Sequence, residues 1–431
     1  MTKLPYEKHT LPNGVRFILI PMKGVNSVAT AVMVGVGSRY ETKKINGVSH
    51  FLEHMVFKGT KKYPTSEDVN VIERIGGLQN AYTDIDVTSY HNKVLSTDWR
   101  LALEINRELA LTPRLEEVYI ERERNVILEE IKRGEDEPAN KVGETFHQMM
   151  YPGTRLGMRI IGEEASLKAA GSTTLREYHD RWYKPESIVV ILAGNIGLSA
   201  SGRTKDVQKQ VEEWFSGLNG KRAGGIERVV PDQTRSKLEV VTKPDASQAH
   251  LTIGLHTFAR ASSDRFAWSL FNMIMGIGFT SRLFKEIREK RGLCYHIRSS
   301  SDTWADAGYW SIYAGVGTDR VEEATKAIVR ELAKAVDRGI TTDELAVAKK
   351  RLKTIVAFKS EDPEFFVEYY GRQEVFNEPL IALGDYIKKI EKVTKEDINR
   401  LLRKYFISRH LNMALVWSKP ANTKLVSLLS L

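Results

Sequence analysis

The second half of this 431-residue chain repeats the element order of the first, and that repetition constrains the fold more than any other feature. In the first half a Pro12-Asn13-Gly14 turn precedes an apolar run at 15–20, and a second β-rich run spans 27–36. A helix is predicted over 48–58, stopped by Gly59, and another is capped by Thr65 and ends at Gly76-Gly77. Alternating strands at 78–83 and 87–95, a long helix at 115–133 and a buried strand at 187–193 complete the set. Beyond a Gly/Lys-rich loop at 217–225, strands recur at 237–241 and 249–256, helices at 266–275 and 282–291, and strands at 295–301 and 309–314. Each half closes with a helix, an aromatic pair (Trp182-Tyr183; Tyr405-Phe406) and an apolar strand, the last at 412–417. The expected fold is α+β. Two duplicated domains, 1–216 and 237–431 joined by a linker at 217–236, would each pack a mixed or largely antiparallel sheet with helices.

Within the helix at 48–58 stand His50-Phe51-Leu52-Glu53-His54. Residues four apart on a helix are separated by about 40° of rotation, so both imidazoles leave one face at ligand distance. Glu53 lies near that face and is placed to take a proton from a metal-activated water and pass it to a leaving amine. H-x-x-E-H is the inverted zinc-peptidase motif. Cys294 is the only cysteine, so His and carboxylates must hold the metal. The segment 121–131 offers Glu123 and Glu130, seven apart on one stripe with Ile127 between them, whereas Glu129 points about 100° away. Spacing alone does not choose between Glu123 and Glu130 as third ligand.

H-F-L-E-H-M-V-F-K-G-T and E-R-E-R-N-V-I-L-E-E-I together resemble the two signatures of the pitrilysin and mitochondrial processing peptidase family, and the likeness runs over essentially the whole chain. The resemblance implies one Zn²⁺ per chain held by His50, His54 and Glu130, with Glu53 as general base and Glu123 as a supporting carboxylate. It makes 1–216 the catalytic zinc domain, facing the second domain across a chamber. Gly76-Gly77-Leu78-Gln79-Asn80-Ala81-Tyr82-Thr83 resembles the family's active-site edge strand, where Asn80 and Ala81 would hold a peptide by main-chain pairing. In the second half, Arg288 and Tyr295 match an Arg…Tyr element that contacts the substrate carbonyl. The implied function is endopeptidase cleavage of short or unfolded peptides. The longest members carry two such domain pairs, which implies a homodimer here. The rival is a non-catalytic structural or substrate-holding subunit; such members lack residues of the zinc motif, and this chain has His50, Glu53, His54 and Glu130.

Other classes fit less well. The net charge of +9 is spread through mixed runs with no aromatic-interleaved basic block, so nucleic acid is not an expected partner. No stretch reaches the roughly 20 apolar residues of a membrane span, and residues 1–8 have no signal-like apolar region, so a cytoplasmic protein is expected. His91, His147, His179, His250 and His256 lack partner spacing and are expected to be structural, as is Cys294; Gly276 and Gly278 are expected in a helix–helix turn.

Overall fold

The computed structural model describes residues 6–196, 203–222, 224–420 and 424–431; the reading of residues 1–5 therefore lies outside it. Two compact units are present. One comprises Met1–Glu130, Met158–Glu227 and Ala357–Gly384; the other Ile131–Gly157, Arg228–Val356 and Asp385–Leu431.

The first unit holds a six-stranded sheet of β1 (Glu7–Thr10), β2 (Arg16–Pro21), β3 (Ser27–Val34), β4 (Leu78–Thr83), β5 (Thr88–Leu95) and β6 (Ile188–Gly194). Its order is β1-β2-β6-β3-β5-β4, antiparallel except for the β2/β6 pair. β6 is buried at every residue and β3 at all but its first, as near-continuous apolar strands covered on both faces must be. α1 (Val48–Val56) packs near β4, α2 (Trp99–Leu111) packs on β3 and β5, and α3 (Glu117–Asp136) follows. β4, with β5 as its one strand neighbour, is an edge strand.

The second unit holds β7 (Leu238–Thr242), β8 (Gln248–His256), β9 (Cys294–Thr303), β10 (Gly308–Gly317) and β11 (Asn412–Trp417) in the order β7-β11-β8-β10-β9. The lone parallel pair, β7/β11, joins the unit's first strand to its last, as β2/β6 joins the second strand of the first sheet to its last. The duplication is thus present in topology, with β1 as the one added strand.

The units depart from the contiguous division 1–216 and 237–431 at two helices. α4 (Pro138–Met150), from the first half of the chain, packs on β8 and β11; α5 (Pro363–Val375), from the second half, packs on β3 and β6. An amphipathic pattern says that a helix buries one face, not whose sheet receives it. A second difference lies at 282–291, where the expected α-helix is a π-helical turn at Phe284–Glu289 with Lys290 N–H donating to the Lys285 carbonyl at 3.0 Å. One extra residue in a turn barely changes the apolar period, so sequence pattern does not register it. Among the described residues no helix is long and apolar enough to cross a membrane.

Candidate metal centre

α1 exists because Val48, Phe51, Leu52, Met55 and Val56 are all fully buried along one face, each removal from water stabilising by about 1.5–3 kcal/mol. His50, Glu53 and His54 fall on the remaining, half-buried face. The N-cap of the helix is Gly47 at φ +93°, and a Cβ there would lie 2.7 Å from the Ile161 carbonyl oxygen. No ordinary capping side chain can occupy that position. The first-turn donors are met instead by Glu41, fully buried six residues upstream, which accepts from Gly47 N–H (2.7 Å), Ser49 N–H (2.7 Å) and the Asn46 amide (2.9 Å).

One ligand atom from each of His50, His54 and Glu130 lies within 4.8 Å of the others. His54 Nε2 is 3.6 Å from a Glu130 oxygen, while ligand atoms around a tetrahedral zinc with bonds near 2.0–2.1 Å sit roughly 3.3 Å apart. On the other side of the ring, His54 Nδ1 meets Glu123 at 3.3 Å. Donating Nδ1–H to that carboxylate leaves Nε2 as the electron-pair donor, and Glu123 is itself held by Lys58 at 2.7 Å. His50 Nδ1 is buried with no hydrogen-bond partner. Desolvation, helped by the neighbouring His54, lowers the His50 pKa to about 4, so the ring is neutral and free to ligate. Two imidazoles and one carboxylate suit a zinc-type divalent ion and leave a coordination position open. The residues fit the metal.

Glu53 accepts a hydrogen bond from the Thr83 hydroxyl at 2.5 Å. Desolvation raises the Glu53 pKa, and the Thr83 bond and His54 oppose the shift. Thr83 ends edge strand β4, on which Asn80 is exposed and Ala81 buried. The Asn80 side-chain oxygen accepts from Ala81 N–H at 2.9 Å, so a peptide pairing there must displace the carboxamide. In the second unit the Arg288 guanidinium lies 4.8 Å from both the Phe284 and Tyr295 ring centroids, and Tyr295 is 78% exposed. Cys294 is buried, which pushes its thiol up to about 11. His147 and His179 bond main-chain carbonyls and His250 bonds Tyr313.

Sequence reasoning missed Glu41, Thr83 and Lys58. A signal existed for Glu41: a glycine at the N-cap of an amphipathic helix implies an acceptor from elsewhere. Burial pushes the Glu41 carboxyl up to about 7, against its hydrogen-bond donors. A carboxyl raised on folding contributes stability that is full below about 4.5 and lost as pH rises through 7. Denaturant titrations of the native protein and Glu41→Gln should therefore show the native advantage shrinking between pH 5 and 8, by on the order of 3 kcal/mol. A difference that stays constant over that range would contradict it.

Two family profiles match the chain: Insulinase (Peptidase family M16) over residues 16–164 and Peptidase M16 inactive domain over residues 172–352. A Bacillus subtilis protein described as an uncharacterized zinc protease is 33% identical over 401 residues, covering 93% of this chain and 95% of the relative. A Streptomyces coelicolor protein with the same description is 31% identical, covering 91% and 86%. Among solved structures, a protease from Helicobacter pylori aligns with TM-score 0.89 at 24% identity, over 96% of this chain and all of that one. A Pseudomonas fluorescens structure described as a peptidase M16 inactive domain aligns with TM-score 0.87 at 20% identity, over 97% and 100%. At these identities the structural neighbours show the fold.

Proposed function

Because the chain belongs to peptidase family M16, the insulinase family, we propose that it is a zinc-dependent endopeptidase acting on short or unfolded peptides. The observation that carries this reading is the His50, His54 and Glu130 cluster with Glu53 beside it on the same helix. The descriptions of the relatives as zinc proteases agree with it.

Zinc, when held by these three residues, would supply Lewis acidity towards a peptide carbonyl and towards water. Glu53 takes the proton of the attacking water and delivers it to the departing amine. Its raised pKa makes it a stronger base than an exposed glutamate, and Thr83 fixes which oxygen faces the reaction. Glu123 and Lys58 keep His54 in its ligating tautomer. Exposed groups on β4 pair with the peptide main chain, which gives affinity with little sequence demand. To Arg288 and Tyr295 we assign hydrogen bonds to the substrate carbonyl as charge develops on it; the exposed phenol and the ring-stacked guanidinium suit that role. The active form is proposed as a homodimer with one zinc per chain, on the family resemblance alone.

A chelator should abolish cleavage of short unstructured peptides, and added zinc should restore it. The restored species should sediment at twice the 48.9 kDa chain mass. Cleavage by demonstrably metal-free protein would overturn the zinc-dependent reading, and no cleavage by zinc-loaded protein would overturn the enzymatic one. An active monomer, or activity that requires a different protein, would overturn the homodimer only.

A further inference from the structure

Thr83, which orients Glu53, is the last residue of an edge strand and pairs with β5 on one side only. Both of its chain neighbours are gripped by α5. The Tyr82 hydroxyl donates to both oxygens of Glu368 at 2.9 and 3.1 Å, and Arg372 donates to Asp84 at 2.8 Å. Arg372 also reaches Glu368, one helical turn away, at 3.2 Å, so the two grips form one network. The Tyr82 pKa is raised by burial and by Glu368, which keeps the hydroxyl a donor.

The helix that grips is itself immobilised. Phe366, Val367, Tyr370 and Val375 are buried against Ala31, Met33, Val189 and Ile191 of the central strands. At Gly371 the backbone comes so close to the sheet that a Cβ would stand 2.7 Å from Met33 Sδ and 3.0 Å from Ile191 Cδ1. Alternation along β4 puts Tyr82 on the face towards α5 and Thr83 on the opposite face, towards α1. A fixed element behind the strand therefore sets the position of the hydroxyl in front of it.

We propose that Tyr82, Glu368 and Arg372 are positioning residues that hold Thr83, and through it the Glu53 carboxylate, in register for proton transfer. The proposal rests on Glu53 being the base. Arg372, Glu368 and Asp84 are each about a third or more exposed, so their pairs are individually weak and their loss should leave the fold intact. Misplacement of a catalytic group by a fraction of an ångström is nonetheless costly to rate.

Arg372→Ala and Tyr82→Phe should each lower kcat by about ten-fold with KM and zinc content unchanged, as should Thr83→Val, whereas Thr83→Ser should stay near the native rate. The Thr83→Val, Arg372→Ala double variant should lose less than the product of the two single losses, because both act through Thr83, whose hydroxyl and backbone both bond Glu53. Amide hydrogen exchange at residues 82–84 should quicken in Arg372→Ala but not in Thr83→Val. Multiplicative losses in the double variant, zinc loss in Arg372→Ala, or native kcat in both Arg372→Ala and Tyr82→Phe would overturn the proposal. Should Glu53→Gln prove fully active with zinc bound, the base reading fails by itself, and unchanged exchange in Arg372→Ala separately refutes the grip on β4.

Discussion

The His50→Ala, His54→Ala double substitution is expected to give a folded chain that retains no stoichiometric zinc and cleaves peptides only at background. The fold should survive because α1 is held by Phe51, Leu52, Met55 and Val56, all fully buried, and not by its histidines. The metal should not survive, because Glu130 would be the one proposed ligand left, and an isolated carboxylate gives a zinc-type ion neither the nitrogen donors nor the three protein ligands of such a site. Glu130→Gln should weaken metal retention less drastically, since both imidazoles remain. Metal analysis after exhaustive dialysis, beside circular dichroism of the same samples, reads both quantities. One equivalent of zinc persisting in the double variant would remove His50 and His54 from the ligand set.

Glu53→Gln should separate metal from turnover. The amide has the size of the carboxylate and can still accept from the Thr83 hydroxyl, so the local structure and the zinc should be kept. It cannot accept a proton, and loss of a general base typically lowers kcat by about 10²–10⁴-fold. Single-turnover kinetics at saturating peptide, with zinc content measured on the same preparation, isolate that step. Near-native kcat with zinc bound would exclude Glu53 as the base. Zinc loss on this substitution would instead reassign it to holding the metal.

These two expectations use residues that were legible before any coordinates, for a geometric reason. His50, Glu53 and His54 lie within one helix, where position is a function of spacing, and Glu123 and Glu130 share a second helix stripe. Spacing left the third ligand open between the two glutamates. In the structure Glu130 completes the cluster with His50 and His54, while Glu123 stands at the far side of the His54 ring. The choice depends on how two helices pack, and neither helix encodes that alone. Glu41 and Thr83 were not singled out for a related reason. The first caps a helix whose N-cap it does not occupy, and the second belongs to the segment resembling an active-site edge strand, whose pattern does not say that its hydroxyl meets Glu53.

What the sequence determined by itself is local and periodic: the strands and helices, the side chains sharing a face with His50, and the doubled element order that reappears as β2-β6-β3-β5-β4 and β7-β11-β8-β10-β9. Only the tertiary structure decided that α4 and α5 pack on the sheets of the opposite halves, that a π-helical turn carries Arg288, and that Glu368 and Arg372 stand behind Thr83. Backbone hydrogen bonding and 3.6- or 2-residue periods act between near neighbours, so a linear pattern records them. Contacts such as Tyr82–Glu368 join residues far apart in the chain, and their formation depends on which apolar faces find each other when the units condense.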